Sequence, residues 1–176
     1  MPTIHLAYLS LGSNVEAERN LPVALRYLQE HGQVVAVSRV YQSAPQGGQL
    51  GENARSQLYL NAAVALHTEL EPQDLRDLVL RPIEARLGRS RTSPVGPTWV
   101  PIDLDLIFFD ERSFRLGKRQ IPDPDILRFA YLAVPLAEIA PHLVHPQTGE
   151  TLAAIARRLS RTATLTPRPD VVLRLA

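Results

Sequence analysis

Ile4 to Leu11 is nearly continuous in apolar residues and predicts a buried strand, which Gly12-Ser13-Asn14 ends. Asn20-Leu21-Pro22 predicts the start of a helix, because proline is tolerated in a first turn. Val23, Leu25 and Leu28 give that helix an apolar face as far as Gly32. Val34 to Tyr41 is rich in β-branched residues and predicts a second strand, and Leu58 to Leu66 a third. The polar, glycine-rich stretch 43–57 between them predicts a long loop, of a length that usually signals function or mobility. Glu71 to Leu87 has helical periodicity, with Pro82 removing one backbone donor and predicting a kink or a restart. Residues 88–101 form a second long loop, bearing arginines, glycines and prolines. Ile102 to Phe109 predicts a strong strand, Arg115 to Ile121 a short edge strand, Pro124 to Ala140 one or two helices, and Leu152 to Leu159 another. Residues 162–176 are interrupted by proline and read as a strand or an extended tail.

The order is βαββαβ followed by helices. It predicts an α+β fold: a ferredoxin-like antiparallel sheet with helices on its faces and extra C-terminal helices. The 176 residues suit one domain, 1–176. Many unrelated functions share this order, so function must come from particular side chains.

Composition removes several chemistries. There is no cysteine, which excludes disulfides, thiolate zinc sites and cysteine nucleophiles. A net charge of +1 gives no bulk attraction to nucleic acid or anionic membrane, although all 19 basic residues except Lys118 are arginine. No apolar run is long enough to span a bilayer and no leader-like segment precedes the first strand, so the expected compartment is the cytoplasm. The histidines lack metal-ligand spacing, Ser10 and Ser13 lack triad partners, and Gly12-Ser13-Asn14 does not match a phosphate loop.

What remains centres on Ile102-Asp103-Leu104-Asp105-Leu106. Residues i and i+2 of a strand share a face, which sets the two carboxylates ~6–7 Å apart. Their repulsion needs an offset from water, arginines or divalent cations. Paired carboxylates on a rigid strand make a seat for magnesium, which keeps waters and substrate phosphates in its other positions. The plain alternative is a solvated face of an amphipathic strand. Arg89 and Arg91 stand in the loop just before and suit the holding of phosphate charge, or simply face solvent. Tyr59 and Asn61 share a face of the third strand, where a ring and an amide suit a heterocycle with mixed edges, or a core tyrosine beside a turn. Trp99 and Tyr131 are amphipathic aromatics able to stack on a planar ligand or to pack.

Taken together, AYLSLGSN (7–14), ERNLPVALRYL (18–28), SRVYQSAP (38–45), YLNAAVAL (59–66), IEARLGRSR (83–91), VGP (95–97), IDLDLIFFD (102–110), IPDP (121–124) and YLAVPLAEIAP (131–141) resemble the 6-hydroxymethyl-7,8-dihydropterin pyrophosphokinases of folate biosynthesis. The resemblance implies magnesium-dependent transfer of pyrophosphate from ATP to the hydroxymethyl group of a reduced pterin, with release of AMP. It implies that Asp103 and Asp105 hold two magnesium ions, that Asn61 binds the pterin, that Tyr59 and Tyr131 sandwich its ring, and that Ser43 and Ala44 line its edge. Trp99 is expected among the substrate contacts. Arg89 and Arg91 match catalytic-loop positions. Glu84, Leu106, Asp123 and Arg128 are expected on the ATP side, with Leu106 against the adenine. Closure of 43–57 and 88–101 over the substrates is expected, as is a monomer that binds neither nucleic acid nor membrane.

The chain departs from the family pattern at several points. Trp-Gly-Pro-Arg-Thr becomes Val95-Gly96-Pro97-Thr98-Trp99-Val100-Pro101, two residues longer and without the arginine. Ile-Pro-His-Pro becomes Ile121-Pro122-Asp123-Pro124, and the arginine expected beyond it falls on Phe129, with Arg128 one place early. These changes leave open a divergent member with another pterin or phosphate donor. A non-catalytic ferredoxin-like binding module, for instance for RNA, is the rival from another class.

Overall fold

The computed structural model describes residues 2–45, 58–90 and 99–176. Its main sheet is antiparallel and centred on β1 (His5–Ser13), which pairs with β4 (Tyr59–Thr68) on one side and β5 (Asp103–Phe109) on the other. Beyond β4 lie β2 (Gln33–Val37) and β3 (Tyr41–Ser43), and β3 carries the two-residue strand β8 (Thr166–Pro167) on its outer edge. With β2 and β3 taken as one interrupted strand, this is the ferredoxin-like order that the sequence predicts. The expected continuous strand Val34–Tyr41 is broken at Ser38. Its hydroxyl accepts the Ala63 N–H at 2.8 Å and donates to the Arg39 carbonyl at 2.7 Å, which replaces a ladder bond by a side-chain bond and lets the chain step sideways.

Helices cover both faces. α1 (Ala17–Gln29) and the composite helix 72–86 pack on one, around Leu9, Leu11, Leu66, Leu104, Leu106 and Phe109. α4 (Ala130–Ile139) and α5 (Leu152–Leu159) pack on the other, around Ala63, Ile107 and Phe108. β4 is sandwiched and buried along most of its length, which explains its continuous apolar run. α5 coincides with its predicted span. α1 begins three residues before Asn20, so Pro22 lies inside it; the Asn20 amide instead donates to the Val15 and Pro101 carbonyls at 2.7 and 3.0 Å.

Pro82 does not break its helix. The chain passes from α2 (Pro72–Asp74) through a π-helical stretch (Leu75–Leu80) into α3 (Arg81–Arg86), and the Arg81 N–H bonds the Arg76 carbonyl five residues back. The widened turn precedes the proline, where an α-helical ring would clash with the Leu78 carbonyl. The expected single edge strand at 115–121 is a hairpin, β6 (Phe114–Leu116) and β7 (Arg119–Ile121), turning at Gly117 with φ 65°. A 3₁₀ turn (Pro124–Leu127) leads into α4. Of the two readings of 162–176, a strand or an extended tail, the strand forms: β8 joins the sheet, and Val171 is buried in the core that α1 shares.

Candidate active site

The face of the sheet left open beyond the first turn of α4 forms a cleft of about 530 Å³. Its floor comes from alternate residues of the central strands: Ser10 and Gly12 of β1, Tyr59 and Asn61 of β4, Asp103, Asp105 and Ile107 of β5. Strand alternation places all of these on one face while Leu9, Leu11, Leu104 and Leu106 enter the core on the other. A side chain at position 12 would lie against Asn61 and Tyr59, 3.7 and 4.0 Å away, so glycine there keeps the floor open.

One end is acidic. Asp103 and Asp105 project together, Asp103 paired with Arg89 at 2.9 Å and Asp105 with Arg119 of β7. Burial pushes both carboxyls above the usual range. The Glu84 charge adds to this at Asp103, against the pull of Arg89, and the Asp103 charge adds to it at Asp105, against Arg119. Neither arginine fully offsets the desolvation, so the pair favours a further cation. Asp123 and Asp125 complete this end; Asp123 caps the 3₁₀ turn by accepting the Asp125 N–H at 3.0 Å, and burial raises its carboxyl. Among the described residues no group of three or more acidic or histidine side chains is gathered for a metal.

The other end suits a flat polar ring. The Asn61 amide, 6% exposed, donates to Ser43 Oγ at 2.8 Å and more weakly to the Tyr41 carbonyl at 3.4 Å, which fixes its orientation. Ser43, Ala44 and Pro45 form the rim, and Tyr131 lines the cleft together with the floor residue Tyr59. Burial raises the Tyr59 hydroxyl, helped by Asp103. Phe129 stacks on Tyr131 at 5.4 Å and holds it at the mouth.

The structure thus gathers Ser43, Ala44, Tyr59, Asn61, Arg89, Asp103, Asp105, Asp123 and Tyr131 in one cleft. It does not bring in four other predicted residues. Glu84 is buried behind β5, where its carboxylate accepts the Leu104 N–H at 2.9 Å. The Leu106 side chain lies in the core on the opposite face, because it is one residue out of phase with Asp105. Trp99 is 52% exposed and lines no part of the cleft. Arg128 lies over the Phe129 ring and pairs with Asp125 at 3.5 Å, outside the lining. Arg91 lies outside the described residues, as do 46–57 and 91–98, most of the two predicted loops.

Sequence reasoning missed Arg119 and Asn14. The signal for Arg119, a basic residue four before Asp123, becomes meaningful only once the hairpin folds back on β5. Asn14 clamps the entry to β5: its N–H donates to the Val100 carbonyl at 2.9 Å, and its Oδ1 accepts the Val100 N–H at 2.8 Å. Ser13 adds a bond to the Pro101 carbonyl at 2.6 Å. Gly12-Ser13-Asn14 therefore fixes the start of the aspartate strand.

The profile of the 7,8-dihydro-6-hydroxymethylpterin-pyrophosphokinase (HPPK) family matches residues 8–141. This chain belongs to that family. Among individual HPPK relatives, the 2-amino-4-hydroxy-6-hydroxymethyldihydropteridine pyrophosphokinase of Methylorubrum extorquens is 38% identical over 156 residues, covering 87% of this chain and 92% of its own. The enzyme of the same name from Synechocystis is 36% identical over 115 residues, covering 65% of this chain and 57% of its own. Solved structures resemble the fold: a Plasmodium falciparum HPPK-DHPS triple mutant superposes with a TM-score of 0.68 at 14% identity, over 89% of this chain and 44% of that one. The chain therefore spans under two thirds of some relatives and nearly all of others. Among the described residues no helix is long and apolar enough to cross a membrane.

Proposed function

We propose that this chain, acting as one domain over 1–176, transfers pyrophosphate from ATP to the hydroxymethyl oxygen of 6-hydroxymethyl-7,8-dihydropterin, a step of folate biosynthesis. The observation that carries the reading is the sharing of one cleft by the Asp103–Asp105 pair and the Tyr59, Asn61, Ser43, Tyr131 slot. In the reaction the hydroxymethyl oxygen bonds to the β-phosphorus of ATP, the bond from that phosphorus to the bridging oxygen of the α-phosphate breaks, and AMP leaves with that oxygen. The hydroxyl proton passes to solvent.

Magnesium fits the donor set: two oxygen ligands on a rigid strand, destabilised as bare anions by burial and mutual repulsion. Asp103 and Asp105 would hold it, two ions being expected, and when bound it neutralises phosphate charge and aligns the two oxygens. Asn61 and Ser43 orient the pterin edge, and Tyr59 and Tyr131 clasp its faces. With a metal bound to the aspartates, Arg89 and Arg119, which pair with them here, would be free to hold phosphate charge. Such transfer depends on positioning and charge neutralisation, with little covalent help from the protein.

Asp123 and Phe129 favour a second reading, a changed donor preference, since an acid in the cleft and an aromatic at the position of the family's arginine reshape the nucleotide side. The RNA-binding alternative meets a cleft lined by four carboxylates and two arginines, the wrong charge for a polyanion without metal. We further place the protein in the cytoplasm and as a monomer. Incubation with ATP, magnesium and the hydroxymethyl-dihydropterin should release AMP, and Asp103→Ala should abolish release. Absence of AMP with any divalent metal would reject the function, and preference for GTP or ADP would support the second reading.

A further inference from the structure

The C-terminal segment lies beyond residues 8–141, the stretch matched to the family, yet it is paired to the strand that carries Ser43 of the cleft. β8 pairs with the outer edge of β3, Tyr41 opposite Pro167 and Gln42 opposite Thr166. The Arg168 N–H then donates to the Val40 carbonyl at 2.9 Å. The Arg168 guanidinium reaches Gln42 Oε1 at 3.0 Å and Glu18 Oε1 at 3.2 Å, and Asp170 grips it from the side at 2.7 and 2.8 Å. Val171 is buried in the core that α1 shares, and Gln29 at the far end of α1 donates to the Arg174 carbonyl at 3.3 Å. The segment is thus tied to both ends of α1 and, between them, to β3.

β3 needs such a support. It is three residues long, and its other neighbour is β4. A strand that short on a free edge is weakly held. Tyr41 and Ser43 alternate with Gln42, so the face that Arg168 grips is opposite to the face that lines the cleft. Ser43 is the residue that receives the Asn61 amide. A shift of β3 would therefore break the one side-chain bond that orients the polar end of the slot.

We propose that the C-terminal strand, through Arg168 and Gln42, is a positioning element for the pterin end of the cleft. It holds β3, and through β3 the Ser43–Asn61 pair, in the geometry that reads the pterin edge. Arg168 touches no substrate and acts at a distance of one strand. The identity of the ligand as a reduced pterin rests on the function proposed above; the mechanical linkage does not.

The experiment compares wild type, Arg168→Ala, Gln42→Ala, the double variant and Arg168→Lys. It reads pterin Kd by ligand fluorescence, nucleotide Kd, kcat and Tm. Arg168→Ala should raise pterin Kd and KM by about tenfold, the size of one lost charge-assisted hydrogen bond, with kcat and nucleotide Kd within about twofold of wild type. Gln42→Ala should do the same, the double variant should be no worse than either single one, and lysine should recover part of the loss. A lowered Tm with pterin Kd unchanged, equal losses for pterin and nucleotide, or fully additive losses would overturn the proposal. Gln42→Ala deletes one half-buried amide and keeps the test decisive if Arg168→Ala folds poorly. Wild type that binds no reduced pterin overturns this proposal together with the function, whereas wild type that binds it beside variants that bind it equally overturns the positioning role alone.

Discussion

Asp105 shows how a side chain can weaken a fold and serve a site. Burial and the neighbouring Asp103 lift its carboxyl above the usual range despite the Arg119 guanidinium. A folded carboxyl raised in this way binds protons more tightly than the unfolded chain does. Stability of the metal-free protein therefore falls as pH rises from the ordinary aspartate value through the raised one. Asp105→Asn should raise the metal-free Tm at neutral pH and flatten this pH dependence, while lowering turnover by at least about 100-fold through loss of the anionic ligand. A thermal melt in EDTA and an AMP assay check both halves; a lowered Tm would mean that the Arg119 pair outweighs the desolvation. At the opposite end, Asn61→Ala leaves Ser43 without its donor and removes the oriented amide. It should raise the pterin KM about 10- to 100-fold, with a smaller change in the ATP KM. The aspartate pair and the Tyr59/Asn61 face were legible because strand periodicity alone puts such residues side by side. Arg119 was not, since its role exists only after a hairpin folds back over β5.

The elements follow local rules except where one side chain overrides them. Ser38 splits a β-branched run that reads as one strand, because its hydroxyl substitutes for a carbonyl toward the Ala63 N–H. Nothing in the sequence distinguishes that serine from any other. Ser38→Ala leaves a buried N–H unpaired and should cost about 1–3 kcal/mol, read as a shift in denaturant midpoint at constant m-value. Pro82 was visible, but its consequence was not: the helix widens before it and continues, and so carries Glu84 beneath β5 to support the Leu104 N–H. The same logic corrects Leu106. Its neighbours on either side in the alternation face the cleft, and it therefore faces the core.

The molecule as a whole is a sheet clad on both sides, with the cleft where the cladding stops. The helices α4 and α5 rest on Phe108 and Ile107, and this layer sets the height of Tyr131 over the floor. Phe108→Ala should cost about 3–5 kcal/mol, and in protein that remains folded it should weaken pterin binding more than nucleotide binding. The ferredoxin-like order was readable because each strand and helix announced itself in turn. At the C-terminus a strand and an extended tail were both readable, since a two-residue pairing has no periodicity to choose between them. The central claim is that Asp103 and Asp105 anchor divalent ions between a nucleotide and the pterin alcohol. The most direct measurement is anomalous diffraction from crystals grown with Mn²⁺, a nonhydrolysable ATP analogue and the pterin. Peaks within coordination distance of both carboxylates, with Arg119 turned away from Asp105, are the predicted result. Ordered nucleotide and pterin with no peak beside those aspartates would contradict the account.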